Sequence, residues 1–235
     1  MSSLLSLENV ETFIGQYHIL QGVNLEVKQG DITVLLGRNG AGKTTTLRTI
    51  MGYYPPSKGV ITFVGERLNG LKTFQIAKKG IGYVPEDQGI FPFLTVEEHM
   101  KVAMQKNNDH TKSRVEWVLE LFPDLKKYWK KEGGHLSGGQ KQMLAIARAF
   151  VNDNRLLLID EPSKGLAPIV VEKVMEALVQ IKEKTSILLV EQNFLMASQI
   201  GDSFFIMDDG KTVHSGEMEQ LKQDEDLRKK YLGIA

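Results

Sequence analysis

The chain has 235 residues, in which 29 Lys and Arg are balanced by 29 Asp and Glu, and it contains no cysteine. It is long enough to bury a full core, but the charge balance provides no overall field for nucleic acid or an anionic lipid surface. The lack of cysteine excludes disulfides, thiolate metal sites and cysteine nucleophiles, as suits a cytosolic protein. The opening stretch MSSLLSLENV has no basic region and no long apolar run, and nowhere do about eighteen apolar residues follow one another, so neither an export signal nor a membrane span is expected.

Taken in order, the first thirty residues alternate apolar and polar, with Val23, Leu25 and Val27 on one face, and read as half-exposed antiparallel strands. ITVLL is continuously apolar and β-branched, the pattern of a strand buried on both faces; AGKTTTLRTIMG follows as a helix ended by Gly52. VITFVG marks a further strand pair, and KGIGYVPE a core strand stopped by Pro85. From about 90 to 150 a helical lobe is expected, because VEEHMKVAM, SRVEWVLELF and SGGQKQMLAIARAF repeat apolar residues at three and four. Strand RLLLID, helix IVVEKVMEALVQIKEK, strand SILLVE, a short helix and two strands around DDGK complete the pattern. Strands separated by helices imply a parallel sheet with right-handed crossovers. The charged segment KQDEDLRKKYL reads as a solvated helix face.

Two motifs carry chemistry. GRNGAGKT, Gly37 to Thr44, matches G-x-x-x-x-G-K-[ST] between a buried strand and a helix, a pattern that average residue usage produces in roughly one chain in a hundred of this length. Its glycines (Gly37, Gly40, Gly42) let the backbone amides of Arg38, Asn39, Ala41 and their neighbours converge on phosphate oxygens, and the helix start, with Thr45 next in line, favours an anion. Lys43 reaches the β and γ phosphates, and Thr44 offers its hydroxyl to Mg²⁺. LLLIDEP then ends an apolar strand in two adjacent carboxylates, a self-repelling pair that calls for a cation. Asp160 with Thr44 suits Mg²⁺ beside a triphosphate, and Glu161 is placed to position the attacking water. Strands ending at Leu36 and Asp160 could present both motifs to one crevice.

LSGGQ, residues 136 to 140, places Ser137, Gly138, Gly139 and Gln140 at a helix start, a second nest for anions. With the phosphate loop and acid pair it resembles the signature motif of the ATP-binding-cassette (ABC) transporter ATPases. The resemblance covers essentially the whole chain. VPE, IFPFLTVEEHM, GLAP, LLVEQN and YLGIA are similar to one branch, the LivF-like ATPase of branched-chain amino acid importers.

The resemblance implies a single ABC ATPase domain over 1–235, with a phosphate-loop (RecA-like) parallel sheet core, an N-terminal antiparallel β part and a helical subdomain of about 90–150. It implies ATP hydrolysis with Mg²⁺ at the cytoplasmic face of the membrane, powering transmembrane permease subunits. Its partners would be a second ABC ATPase, as a heterodimer or alternatively a homodimer, and indirectly a solute-binding protein, with no role for nucleic acid. A urea or amide importer and a soluble cassette ATPase unconnected with transport are the competing readings.

The signature turn would close on the nucleotide of the opposite protomer. Glu86 stands where most members have a metal-linked glutamine, and Gln192 where most have a histidine; Gln192 donates a hydrogen bond but never becomes cationic. The adenine-stacking aromatic is replaced by Ile14, leaving Phe13 or Tyr17 for that role. The five histidines show no ligand spacing, and Ser163 and Ser186 have no histidine partner for serine-type hydrolysis.

Overall fold

The computed structural model describes residues 3–106 and 108–233; Met1 and Ser2 of the opening stretch and the last two residues of YLGIA lie outside them. β1 (Ser3–Ile14) and β2 (Tyr17–Lys28) form an antiparallel hairpin, and Val23, Leu25 and Val27 are buried while Asn24 and Glu26 face out, as the alternation requires. β3 (Ile32–Leu36) is buried throughout and runs through the glycine loop into α1 (Lys43–Ile50). β4 (Lys58–Phe63) and β5 (Glu66–Arg67) complete a four-stranded antiparallel sheet in the order β2-β1-β4-β5. The short α2 (Thr73–Lys78), which no sequence pattern signalled, precedes β6 (Ile81–Val84), and Pro85 ends that strand as expected.

The helical stretch holds α3 (Val96–Ala103), α4 (Asp109–Leu121), α5 (Pro123–Lys127), a 3₁₀ turn at Gly133–His135 and α6 (Gly138–Phe150). Local chemistry starts each: Thr95 and Glu98 form a capping box, Asn108 caps α4, and Pro123 opens α5. α3, α4 and α5 all pack on α6. The alternation then resumes with β7 (Leu156–Asp160), α7 (Pro168–Lys182), β8 (Ser186–Val190), α8 (Phe194–Ile200), β9 (Ser203–Asp208) and β10 (Lys211–Glu217).

The second sheet has the order β10-β9-β3-β8-β7-β6, parallel except for the edge strand β10. This is the phosphate-loop α/β fold. Its two faces explain the unbroken apolar strands: in β7, Leu157 and Ile159 join the core shared with α6 and α7, while Leu156 and Leu158 join the core shared with α1 and the antiparallel sheet. Each such fully buried Leu or Ile contributes roughly 1.5–3 kcal/mol relative to exposure. Register brings the working ends together, because Val190 pairs with both Leu35 and Asp160. The segments leaving β3, β7 and β8 therefore emerge side by side.

The charged C-terminal segment is helical with a solvated face, as expected, but it is broken in two. It forms two helices, α9 (Met218–Gln223) and α10 (Glu225–Leu232), divided at Asp224, whose carboxylate accepts the Leu227 N–H at 2.8 Å and caps the second. Although α10 buries no residue fully, Leu227, Tyr231 and Leu232 rest against the core, so it is a docked helix with one wet face. Among the described residues no helix is long and apolar enough to cross a membrane.

Candidate functional site

At the end of β3 the chain turns on glycines that only glycine can supply. Gly37 has φ 148°, and a Cβ there would lie 2.4 Å from the Met207 carbonyl oxygen. Gly42, at φ 102°, would bring a Cβ to 2.9 Å from Leu20 Cδ2. The loop exposes Arg38, Asn39 and Gly40, buries Ala41, Gly42 and Lys43, and leaves Thr44 and Thr45 half-buried at the start of α1. No side chain caps that helix start and no acidic residue occupies its first turn, so its amides face outward for an anion. Lys43 Nζ donates to the carbonyls of Gly37 at 2.8 Å and Arg38 at 3.1 Å, and lies 3.7 Å from Glu161. Burial lowers its pKa against the pull of Glu161 and Asp160. Arg38 points elsewhere, donating to the Lys230 carbonyl in the last turn of α10 at 3.3 Å.

Asp160, fully buried at the end of β7, accepts from Thr44 Oγ1 at 3.1 Å, and Tyr83 Oη lies 3.5 Å from its other oxygen. Burial, and then the charges of Glu161 and Glu86, push its pKa up to about 6. Burial and Asp160 likewise raise Tyr83 to about 12. Surplus negative charge behind a paired hydroxyl and carboxylate is an environment a small hard cation relieves. Among the described residues no cluster of three or more His, Cys, Asp or Glu side chains is arranged to hold a metal, so a cation here would need oxygens from a ligand as well.

Glu161 sits at φ 45°, a left-handed conformation that costs an ordinary L-residue about 1 kcal/mol or more, held by its N–H to the Val190 carbonyl at 2.9 Å. Its carboxylate receives Gln192 Nε2 on one oxygen and stands 3.6 Å from Lys164 Nζ on the other. Gln192 also donates to Asn39 Oδ1 at 2.7 Å, and Lys164 pairs with Glu86 at 2.5 Å. Asn39, Gln192, Glu161, Lys164 and Glu86 thus form one polar chain across the mouth of the site, linking the loops after β3, β8, β7 and β6.

The family model described as ABC transporter matches residues 20–164. The chain belongs to the ABC transporter family of ATP-binding proteins. It is an ATP hydrolase of the transporter type. It is 39% identical over 232 residues, 98% of this chain and 100% of the relative, to the high-affinity branched-chain amino acid transport ATP-binding protein BraG of Pseudomonas aeruginosa. It is 34% identical over 93% of its length, and 94% of the relative's, to the probable branched-chain amino acid transport ATP-binding protein LivF of Archaeoglobus fulgidus. A solved ATP-binding subunit of an ABC transporter superposes with a TM-score of 0.84 at 29% identity, covering 98% of this chain and 97% of that one.

In this ABC ATPase the signature turn is built as a helix start. Ser137 Oγ accepts the Gln140 N–H at 3.3 Å, and Gln140 Oε1 accepts the Ser137 N–H at 3.0 Å. A Cβ on Gly139 would fall 2.6 Å from Val170 Cγ1, whereas Gly138 is exposed. Among the described residues no hydrogen bond or ion pair joins Ser137–Gln140 to the phosphate loop of the same chain; its tie is Gln88 Nε2 to the Gly138 carbonyl at 3.5 Å. At the β1–β2 turn Phe13 stacks on His18, ring centroids 4.2 Å apart, and Tyr17 stands exposed.

Sequence reasoning missed Lys164, Tyr83 and Glu191. Lys164 lies three residues beyond the catalytic-looking acid, but nothing in the chain order indicates that it meets Glu86. Glu191 had a usable signal, since SILLVE ends an apolar strand in a carboxylate just as LLLID does.

Proposed function

We propose that this chain is the ATP-hydrolysing subunit of an ABC importer for branched-chain amino acids, working at the cytoplasmic face of the membrane. The observation that carries the hydrolytic part is the meeting of the phosphate loop with Asp160 and Glu161 at the ends of β3 and β7, the two strands that flank β8, with Thr44 3.1 Å from Asp160. The solute rests on the names of the relatives BraG and LivF, both branched-chain amino acid transport proteins. Residues 1–235 then act as one ABC ATPase domain, with the helices of about 90–150 as its subdomain.

In this reading the amides from Gly37 to Thr45 cradle the phosphates of ATP, and Lys43 leaves its own loop carbonyls for them. Thr44 and Asp160 would hold Mg²⁺, with Glu86 adding negative charge nearby. Bound there, the metal supplies charge neutralisation on the phosphate oxygens. Glu161 accepts the proton of the attacking water on its carboxylate, while the Gln192 amide orients that carboxylate. Phe13 or Tyr17 offers a ring to the adenine. Ser137, Gly138, Gly139 and Gln140 serve the nucleotide of a second ABC ATPase, in a heterodimer by preference.

The route to the permease runs through the loop after β6. Glu86 is tied to Lys164, Gln88 to the signature turn, and the Gly89 carbonyl to Arg148 at 2.6 Å. The same loop borders an open cleft of about 610 Å³ that Arg48, Tyr53, Asp87 and Arg148 help to line, a recess suited to a permease segment. A solute-binding protein would act on the far side of the permease.

Reconstitution of the full-length chain with its permease and partner ATPase in liposomes tests the proposal. ATP-dependent uptake of leucine, isoleucine or valine is expected, with loss of uptake for Glu161→Gln. Uptake of urea or short amides in place of these would reassign the solute.

A further inference from the structure

Glu191, directly after β8, is 1% exposed, and among the described residues no Lys, Arg or His pairs with it. Its carboxylate is instead satisfied by donors from two separate loops. Oε1 accepts the Ser163 N–H at 3.0 Å, and Oε2 accepts the Ser163 hydroxyl at 3.0 Å and the N–H groups of Gln192 and Asn193, both at 3.1 Å. Burial raises the pKa of this group while the hydrogen bonds oppose the rise.

A buried carboxylate is an expensive way to fill space, since an apolar side chain of similar volume would pack there without the desolvation cost. What an apolar side chain cannot do is hold four donors at once. Those donors close a ring of contacts: Glu161 is followed two residues later by Ser163, Ser163 binds Glu191, Glu191 holds the turn bearing Gln192, and the Gln192 amide returns to Glu161. We propose that Glu191 is a positioning residue for ATP hydrolysis, whose carboxylate keeps the Gln192 amide and the Glu161 carboxylate in mutual register through Ser163. The inference rests on Glu161 and Gln192 serving in hydrolysis, and adds a residue that touches neither nucleotide nor water.

The test is steady-state ATPase activity of the full-length chain in the assembled transporter. Glu191→Gln keeps the shape but sets an NH₂ group against donors. A fall in kcat of about 10- to 100-fold is expected, with KM for MgATP changed less than about threefold. Ser163→Ala, which removes a single donor, should lower kcat by a smaller factor and add little further loss when combined with Glu191→Gln. Glu191→Asp, which keeps both oxygens, should recover part of the rate. Wild-type kcat in Glu191→Gln, or a loss explained entirely by less folded protein, overturns the assignment. If Glu191→Gln fails to fold, an unchanged kcat in Ser163→Ala overturns it instead. Glu161→Gln is measured alongside: wild-type turnover there removes Glu161 as the base, and with it the reading on which the positioning role rests, whereas an inactive Glu161→Gln beside a fully active Glu191→Gln refutes the positioning role alone.

Discussion

Thr44 Oγ1 lies 3.1 Å from Asp160 Oδ1, joining the first turn of α1 to the end of β7 across the face of the sheet. A metal held by these two oxygens should depend on both. Asp160→Asn is expected to weaken magnesium affinity by about 10- to 100-fold. Titration of the variant with a fluorescent ATP analogue, with and without Mg²⁺, should then show little tightening by the metal, where the wild type tightens strongly.

The same residue yields a pH test. Its folded pKa of about 6, against an ordinary 3.8, means that the folded chain holds this proton more tightly than the unfolded chain does. Stability should therefore fall as pH rises from about 4 through about 6, and the burial cost is fully present above that window. Metal-free Asp160→Asn, lacking the charge, should be more stable than the wild type at pH 7.5 by up to about 3 kcal/mol, at roughly 1.4 kcal/mol per pKa unit. The advantage should vanish near pH 4, which denaturant unfolding at the two pH values measures.

Glu161→Gln keeps the size of the side chain and removes its basicity. Turnover should drop by at least about 100-fold while MgATP binding persists. Size-exclusion chromatography with ATP should reveal an accumulated dimer. Retention of wild-type turnover would take Glu161 out of the chemistry.

Gly37 and Gly40 separate steric from conformational demand. Both have positive φ, but a Cβ on Gly40 meets nothing within 4 Å, whereas on Gly37 it strikes the Met207 carbonyl. Gly40→Ala should pay only backbone strain, about 1–2 kcal/mol, and weaken ATP binding modestly. Gly37→Ala must displace the loop, and calorimetry should find its ATP affinity at least about tenfold below that of Gly40→Ala.

Much of this architecture was legible because it is written in local patterns. Alternation in β2, continuous apolarity in β3, β7 and β8, and the helix start at Ser137 each follow from neighbouring residues alone. The acid pair was legible for an energetic reason: carboxylates at the end of a buried strand demand compensation. The contacts that organise the site were not, because Lys164 with Glu86 and Tyr83 with Asp160 join residues 78 and 77 positions apart, and only the strand order brings them together. α2 escaped because six residues carry too little periodicity to read; α10 was read as a helix, but its charged face masked the three apolar residues that dock it.

Arg38 leaves a practical legacy at the other end of the polypeptide. Its guanidinium holds the Lys230 carbonyl, and a Cβ on Gly233 would sit 3.5 Å from its Nη2. Gly233 therefore lies against a side chain of the phosphate loop, so a bulky group introduced at that residue would press on Arg38. A small fluorophore attached at that point would instead report, by its change in emission, when the loop fills.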